Sequence, residues 1–170
     1  MKKLIAILLA ACMLLCFAGC QPTDTENPTS DPHEEPVQDS YSFTYKGTKI
    51  ALHAPAEQVI AALGEADEYT EETSCAFDGL DKTYRYGSVY LQTYPLGGKD
   101  YIYGWWFIDD LVSNDEDISI GSTMAEVDAM YGLENYNGSN AFQIKKGSGM
   151  LTIILENDIV TSVQYAIVTE

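Results

Sequence analysis

The chain has 170 residues, with 9 Lys and Arg against 26 Asp and Glu, a formal net charge of −17. So negative a balance opposes nucleic acid and anionic lipid surfaces as partners, because both would be repelled. Four cysteines and two histidines form no CxxC pair and no HExxH motif, which leaves the common zinc and redox patterns unfilled.

The first segment reads as an export signal. Lys2 and Lys3 form a positive start, Ile5 to Leu15 an uncharged apolar run, and Ala18 and Gly19 the small residues a signal peptidase needs. Cys20 follows directly, closing Leu14-Leu15-Cys16-Phe17-Ala18-Gly19-Cys20. That arrangement is similar to a bacterial lipoprotein signal with its lipobox, although Phe17 stands where an aliphatic residue is usual. The competing readings are ordinary secretion and an uncleaved anchor. For an anchor the run falls short of the roughly 20 apolar residues a spanning helix needs, and no basic stop-transfer residues follow. The expectation is cleavage after residue 19 and a lipid on Cys20, which places the protein on the outer face of the cytoplasmic membrane. Without Lys2 and Lys3, seven basic residues face 26 acidic ones, a formal net of −19.

Residues 20–40 read as a tether. Pro22, Pro28, Pro32 and Pro36 alternate with Asp24, Glu26, Asp31, Glu34, Glu35 and Asp39. With so little to bury, such a segment cannot offset its ordering entropy, and proline with like charge extends it. His33 within it reads as a solvated residue.

Residues 41–170 can enclose one core, and they hold every tyrosine and both tryptophans. Tyr41 to Tyr45 can form an opening strand. Ile50 to Gly64 then aligns without a gap with Ile118 to Gly132, sharing Ile50/Ile118, Val59/Val127, Ala61/Ala129 and Gly64/Gly132. In each copy a short extended run leads into a helix. Pro55 suits the first turn of one copy. Thr123 with Glu126 three residues later forms a capping-box pattern in the other. Val59, Ala62 and Leu63, like Val127, Met130 and Tyr131, give one apolar face, and the two glycines suit left-handed helix ends. Strand patterns follow each helix. They cover Lys82 to Gly87, Ser88 to Tyr94 and Tyr101 to Asp109, then Asn140 to Lys146, Met150 to Glu156 and Ile159 to Val168. Gly87, Pro95 to Gly98, Gly147 to Gly149 and Asn157-Asp158 supply turns. The predicted fold class is α+β: two tandem repeats, about 41–110 and 111–170, each a short helix followed by a three-stranded antiparallel meander.

The run Ile118-Ser119-Ile120-Gly121-Ser122-Thr123 through Glu126-Val127 to Tyr131-Gly132 resembles the helix start of small lipoproteins and inhibitors with the β-lactamase-inhibitor-protein-like or BamE-like fold. Ser74 to Gly87 resembles a stretch of uncharacterised lipoproteins from Clostridia-type Gram-positive bacteria. The resemblance implies the tandem α+β fold more than a function, since one fold hosts many functions; the expected role is to engage a protein partner in the cell envelope, as an inhibitor or assembly factor. No contact residue is carried over from it.

No catalytic constellation is visible, so the chain reads as a non-enzyme without cofactor or metal. His53 reads as a structural residue, and Gly147-Ser148-Gly149 as a hairpin turn, since a nucleophile elbow needs Gly-x-Ser-x-Gly between strand and helix. The acidic run Asp109-Asp110 to Asn114-Asp115-Glu116-Asp117 offers oxygens for calcium. It lacks EF-hand spacing, and reads first as a solvated linker. Asp78 to Asp81 reads first as a turn. Cys75 reads as a small buried hydrophobe, with an intermolecular partner or a reactive thiol as alternatives.

The aromatic residues supply the candidate binding surface: Tyr84, Tyr86, Tyr101, Tyr103, Trp105 and Trp106. Strict alternation puts Tyr101, Tyr103, Trp105 and Phe107 on one face, with Ile102, Trp106 and Ile108 on the other. An outward aromatic face suits an envelope or extracellular protein partner. The alternative is a solute or glycan held on an aromatic platform. The membrane itself is engaged only through Cys20.

Overall fold

In the computed structural model, which describes residues 40–138 and 140–168, seven antiparallel strands form one sheet, in the order β3-β4-β5-β6-β9-β8-β7. Cys20, the signal segment 1–19 and residues 21–39 of the tether lie outside the described residues. The chain opens with a hairpin of β1 (Ser42–Tyr45) and β2 (Thr48–Ala51), followed by helix α1 (Ala56–Leu63). Four strands then meander: β3 (Glu68–Thr73), β4 (Leu80–Tyr86), β5 (Val89–Leu96) and β6 (Lys99–Phe107). Helix α2 (Met124–Tyr131) and a 3-10 turn (Leu133–Asn135) lead to β7 (Ala141–Lys146), β8 (Gly149–Glu156) and β9 (Ile159–Ile167).

This corrects the expected fold class. The architecture is predominantly β, a seven-stranded sheet with a two-stranded one, and not a tandem α+β repeat. Each helix stops after eight residues. The first half has an extra strand, β3, and an extra hairpin partner, β2. The two halves do not close on themselves. β6 pairs with β9 at Gly104↔Ala166, Trp105↔Tyr165 and Trp106↔Gln164, which merges them into one sheet. β3 escaped the sequence pattern because Glu-Tyr-Thr-Glu-Glu-Thr lies wholly exposed at an edge and has no apolar alternation.

One face of the sheet carries the core. The register lines up Tyr69, Tyr84, Leu91, Trp105, Tyr165, Leu151 and Ile144 as one row across all seven strands. Trp105 sits at its centre, fully buried, stacked on Tyr165 at 4.9 Å and on Phe43 of β1 at 6.1 Å. Burying roughly 200 Å² of indole at about 25 cal/mol per Å² contributes on the order of 5 kcal/mol. The hairpin covers this face through Phe43, Tyr45 and Ile50, and the helices add Ala56, Val59 and Val127. The Tyr45 hydroxyl fastens the lid by donating to the Tyr86 carbonyl at 2.7 Å.

A bulge defeats the strict alternation expected of β6. Gln92 faces Gly104 and Thr93 faces Ile102, so Tyr103 has no partner on β5. Ile102, Trp105 and Phe107 are therefore all buried, while Tyr101, Tyr103 and Trp106 keep partial exposure. The helix ends also differ in detail. The Thr123–Glu126 capping box forms in both directions. Gly64 (φ 83°, ψ −152°) and Gly132 (φ 76°, ψ 144°) have positive φ but not the ψ of a left-handed helix. They sit in or beside a region open almost only to glycine.

Candidate functional site

The sheet's second face offers the broadest surface. Its central row is Glu68, Arg85, Tyr90, Trp106, Gln164, Thr152 and Gln143, aligned across all seven strands. None of these seven is buried. Tyr90 and Trp106 stack on each other at 5.1 Å in the middle of the row. The Tyr90 hydroxyl donates to Glu68 at 3.2 Å, and Glu68 also pairs with Arg85 at 2.5 Å. These contacts tie the Tyr90 ring to Glu68 of β3 and, through it, to Arg85 of β4. The adjoining row runs Thr70, Thr83, Gln92, Gly104, Ala166, Met150 and Lys145. Gly104 and Ala166 leave a low step beside Trp106.

The structure divides the aromatic residues singled out from sequence. Trp105 and Tyr86 are core residues, at 0% and 3% exposure, and cannot form an outer surface. Tyr84 is half-buried on the same core face, stacked on Tyr86 at 6.3 Å. Trp106 alone of the six belongs to the outer row. Tyr101 and Tyr103 gather with Phe77 around Tyr94, at ring distances of 5.9, 6.4 and 4.4 Å.

Tyr94 also reaches His53. The His53 ring lies between the Tyr94 hydroxyl (Nδ1, 3.0 Å) and the Ser148 hydroxyl (Nε2, 3.1 Å). His53 itself adopts φ 63°, unusual for a side-chain-bearing residue. The order serine, histidine, orienting group has the outline of a nucleophilic triad. In a Ser-His-Asp triad, however, the third group is a carboxylate whose charge stabilises the imidazolium. Here it is a phenol whose pKa burial pushes up, and burial pushes the His53 pKa down. Both shifts disfavour charge on the pair, and the ring bridges Tyr94 of β5 and Ser148 of the β7–β8 turn.

A third locus is a cavity of about 350 Å³ between β1, the 114–116 loop, α2 and the ends of β7 and β9. Asn114, 6% exposed, organises it. Its Nδ2 donates to the hydroxyls of Tyr131 (2.8 Å) and Tyr165 (3.0 Å). Its Oδ1 accepts the N–H groups of Glu116 (3.1 Å) and Ile118 (2.8 Å). That uses the full capacity of the amide. The Tyr131 hydroxyl donates a hydrogen bond to Glu116 at 3.0 Å. Tyr41 donates to the Ile144 carbonyl at 3.0 Å, and burial together with the Glu116 charge pushes its pKa up to about 12. Burial raises Tyr131 and Tyr165 as well. The acidic run is thus ordered by its asparagine. Among the described residues no group of three His, Cys, Asp or Glu side chains is placed to hold a metal.

Cys75 differs from its first sequence reading: it is exposed. Its segment, residues 74–79, is a loop whose backbone folds onto the Ser74 hydroxyl, with only Phe77 packing inward. Sequence reasoning also passed over Asn114, Tyr131 and Tyr165 as a group. Asn114 and Tyr165 are 51 residues apart in the chain and meet only through the tertiary fold. Tyr90 belongs to the aromatic group of these strands but not to the six residues named as the candidate surface.

No family model, curated protein or solved structure matches the chain.

Proposed function

We propose that this is a non-enzymatic lipoprotein, anchored through Cys20 to the outer face of the bacterial cytoplasmic membrane, that binds a protein partner of the envelope through the open face of its sheet. The observation that carries this reading is the Glu68-to-Gln143 row, seven unburied positions with a stacked Tyr90–Trp106 pair at their centre. Aromatic side chains ringed by amides and hydroxyls are what central interface positions favour. A glycan platform needs a free ring face to stack on. Tyr90 and Trp106 each turn one face to the other, which favours a protein over a sugar.

The test is photo-crosslinking in intact cells, with a crosslinking amino acid placed at Gln164 in the full-length protein. One reproducible envelope protein is expected, and Trp106→Ala combined with Tyr90→Ala should abolish its capture. Capture that survives the double substitution would remove the outer face from the interaction. Capture of glycan alone would replace the protein reading with the sugar one.

A further inference from the structure

The sheet ends at β3, and this rim carries an inference separate from the sheet face. β3 pairs with β4 alone, and all of its residues are exposed. The register runs from Glu68↔Arg85 to Thr73↔Leu80, and the Ser74 N–H continues it by donating to the Gly79 carbonyl at 3.0 Å. Residues of an antiparallel pair alternate between bonded and non-bonded positions. Counting back from Ser74, the positions bonded to β4 are Glu72, Thr70 and Glu68. Tyr69, Glu71 and Thr73 therefore turn their backbone N–H and C=O groups outward, where no described strand takes them.

The side chains set the chemistry of a strand that fits. Glu72 stands directly opposite Asp81, a like-charged pair that repels. The Asp81 Oδ1 oxygen is buried and has no hydrogen-bond partner among the described residues. Glu71 stands opposite Lys82, but the Lys82 ammonium is bound to Asp100 at 2.7 Å. No ion pair reaches Glu71, Glu72 or Asp81 among the described residues. Beside them Tyr69 is 50% and Leu80 40% exposed. A second copy would bring its own glutamates to the rim, and the proline-rich segment 20–40 would bring more Asp and Glu. A basic strand brings the opposite sign.

We propose that the β3 rim takes an extended lysine- or arginine-rich segment of another protein, which adds to the sheet as an eighth, antiparallel strand. Its backbone bonds to Tyr69, Glu71 and Thr73. Consecutive basic side chains stand opposite Glu72 and Glu71, and an apolar one stands opposite Tyr69. Successive side chains of a strand point to opposite faces, so the two cations reach both sides of the rim. Neither Tyr90 nor Trp106 takes part.

The test uses the full-length protein in detergent and the end-capped peptide Val-Lys-Lys-Thr-Val-Lys, whose residues in that order oppose Thr73 back to Glu68. Two further peptides each carry one backbone N-methyl group. One has it on the second lysine, whose N–H faces Glu71, and the other on the threonine, whose N–H faces away. In calorimetry at low salt the parent should bind with a dissociation constant below about 1 mM, the inward N-methyl peptide at least about tenfold more weakly, and the outward one within about twofold. Amide exchange at Tyr69, Glu71 and Thr73 should slow in the complex. Glu71→Gln combined with Glu72→Gln, both exposed positions, should weaken binding at least about fivefold without lowering the melting temperature. The proposal is overturned if the parent peptide does not bind, if both N-methyl peptides bind alike, or if the double variant binds the parent unchanged.

Discussion

Gly104 lies so close to β9 that a Cβ on it would fall on the carbonyl oxygen of Tyr165 and 3.0 Å from the Cα of Ala166. These are backbone atoms of the one seam, three residue pairs long, that joins the two halves of the sheet. A side chain here must push the strands apart. Gly104→Val should therefore cost about 3 kcal/mol or more, toward the upper end for single substitutions, read from denaturant midpoints. A loss below about 1 kcal/mol would mean the seam tolerates spreading.

The two neighbouring tryptophans should behave as opposites. Trp105→Ala empties the centre of the core and should cost about 3–5 kcal/mol. Trp106→Ala removes an outer-face ring and should stay within about 1 kcal/mol. Equal losses in thermal melts would contradict the placement of the bulge at Tyr103.

Asn114→Ala strips two tyrosine oxygens of their donor and two backbone N–H groups of their acceptor. Leaving such groups buried and unpaired costs about 1–3 kcal/mol each where water cannot reach them. A total of about 2–4 kcal/mol is expected in urea unfolding. A near-neutral result would show that water replaces the amide.

His53 gives a signed pH dependence. Burial holds its pKa below the ordinary value of about 6.5. As pH falls past about 6.5 the unfolded chain takes up a proton at this site and the folded one resists. The stabilising contribution is thus complete above that pH and is lost as pH falls toward the folded value. Between about pH 7 and about pH 5 the wild type should lose more stability than His53→Gln. Parallel losses would show that the ring titrates normally.

Cys20→Ala tests the anchor. The variant should lose lipid labelling and appear in the medium. Unchanged retention on membranes would defeat the lipoprotein reading.

What could be read from sequence was local, and what could not was long-range. The Thr123–Glu126 cap, the strands of the second half and the Asn157-Asp158 turn, both residues at positive φ, depend on neighbours a few positions apart. The union of the two halves depends on Gly104 meeting Ala166, which no local pattern encodes. β3 was missed because an exposed edge strand has no buried side to write alternation into the chain. The face of Trp105 was legible only with the bulge, since one extra residue inverts every later side chain on the strand. The cavity stayed hidden because its asparagine gives no periodic signal.

The sheet also stops in two different ways. At β7 the Ile144 carbonyl is taken by the Tyr41 hydroxyl, and Phe142 bridges to Tyr136, so the rim is physically occupied. At β3 the rim carries Glu68, Glu71 and Glu72, and like charge repels any incoming strand of this acidic chain. The first barrier ignores the solvent. The second weakens in concentrated salt or once the carboxylates are protonated. Growth of fibrils from this domain would therefore be one-ended, starting at β3 under acid or high salt.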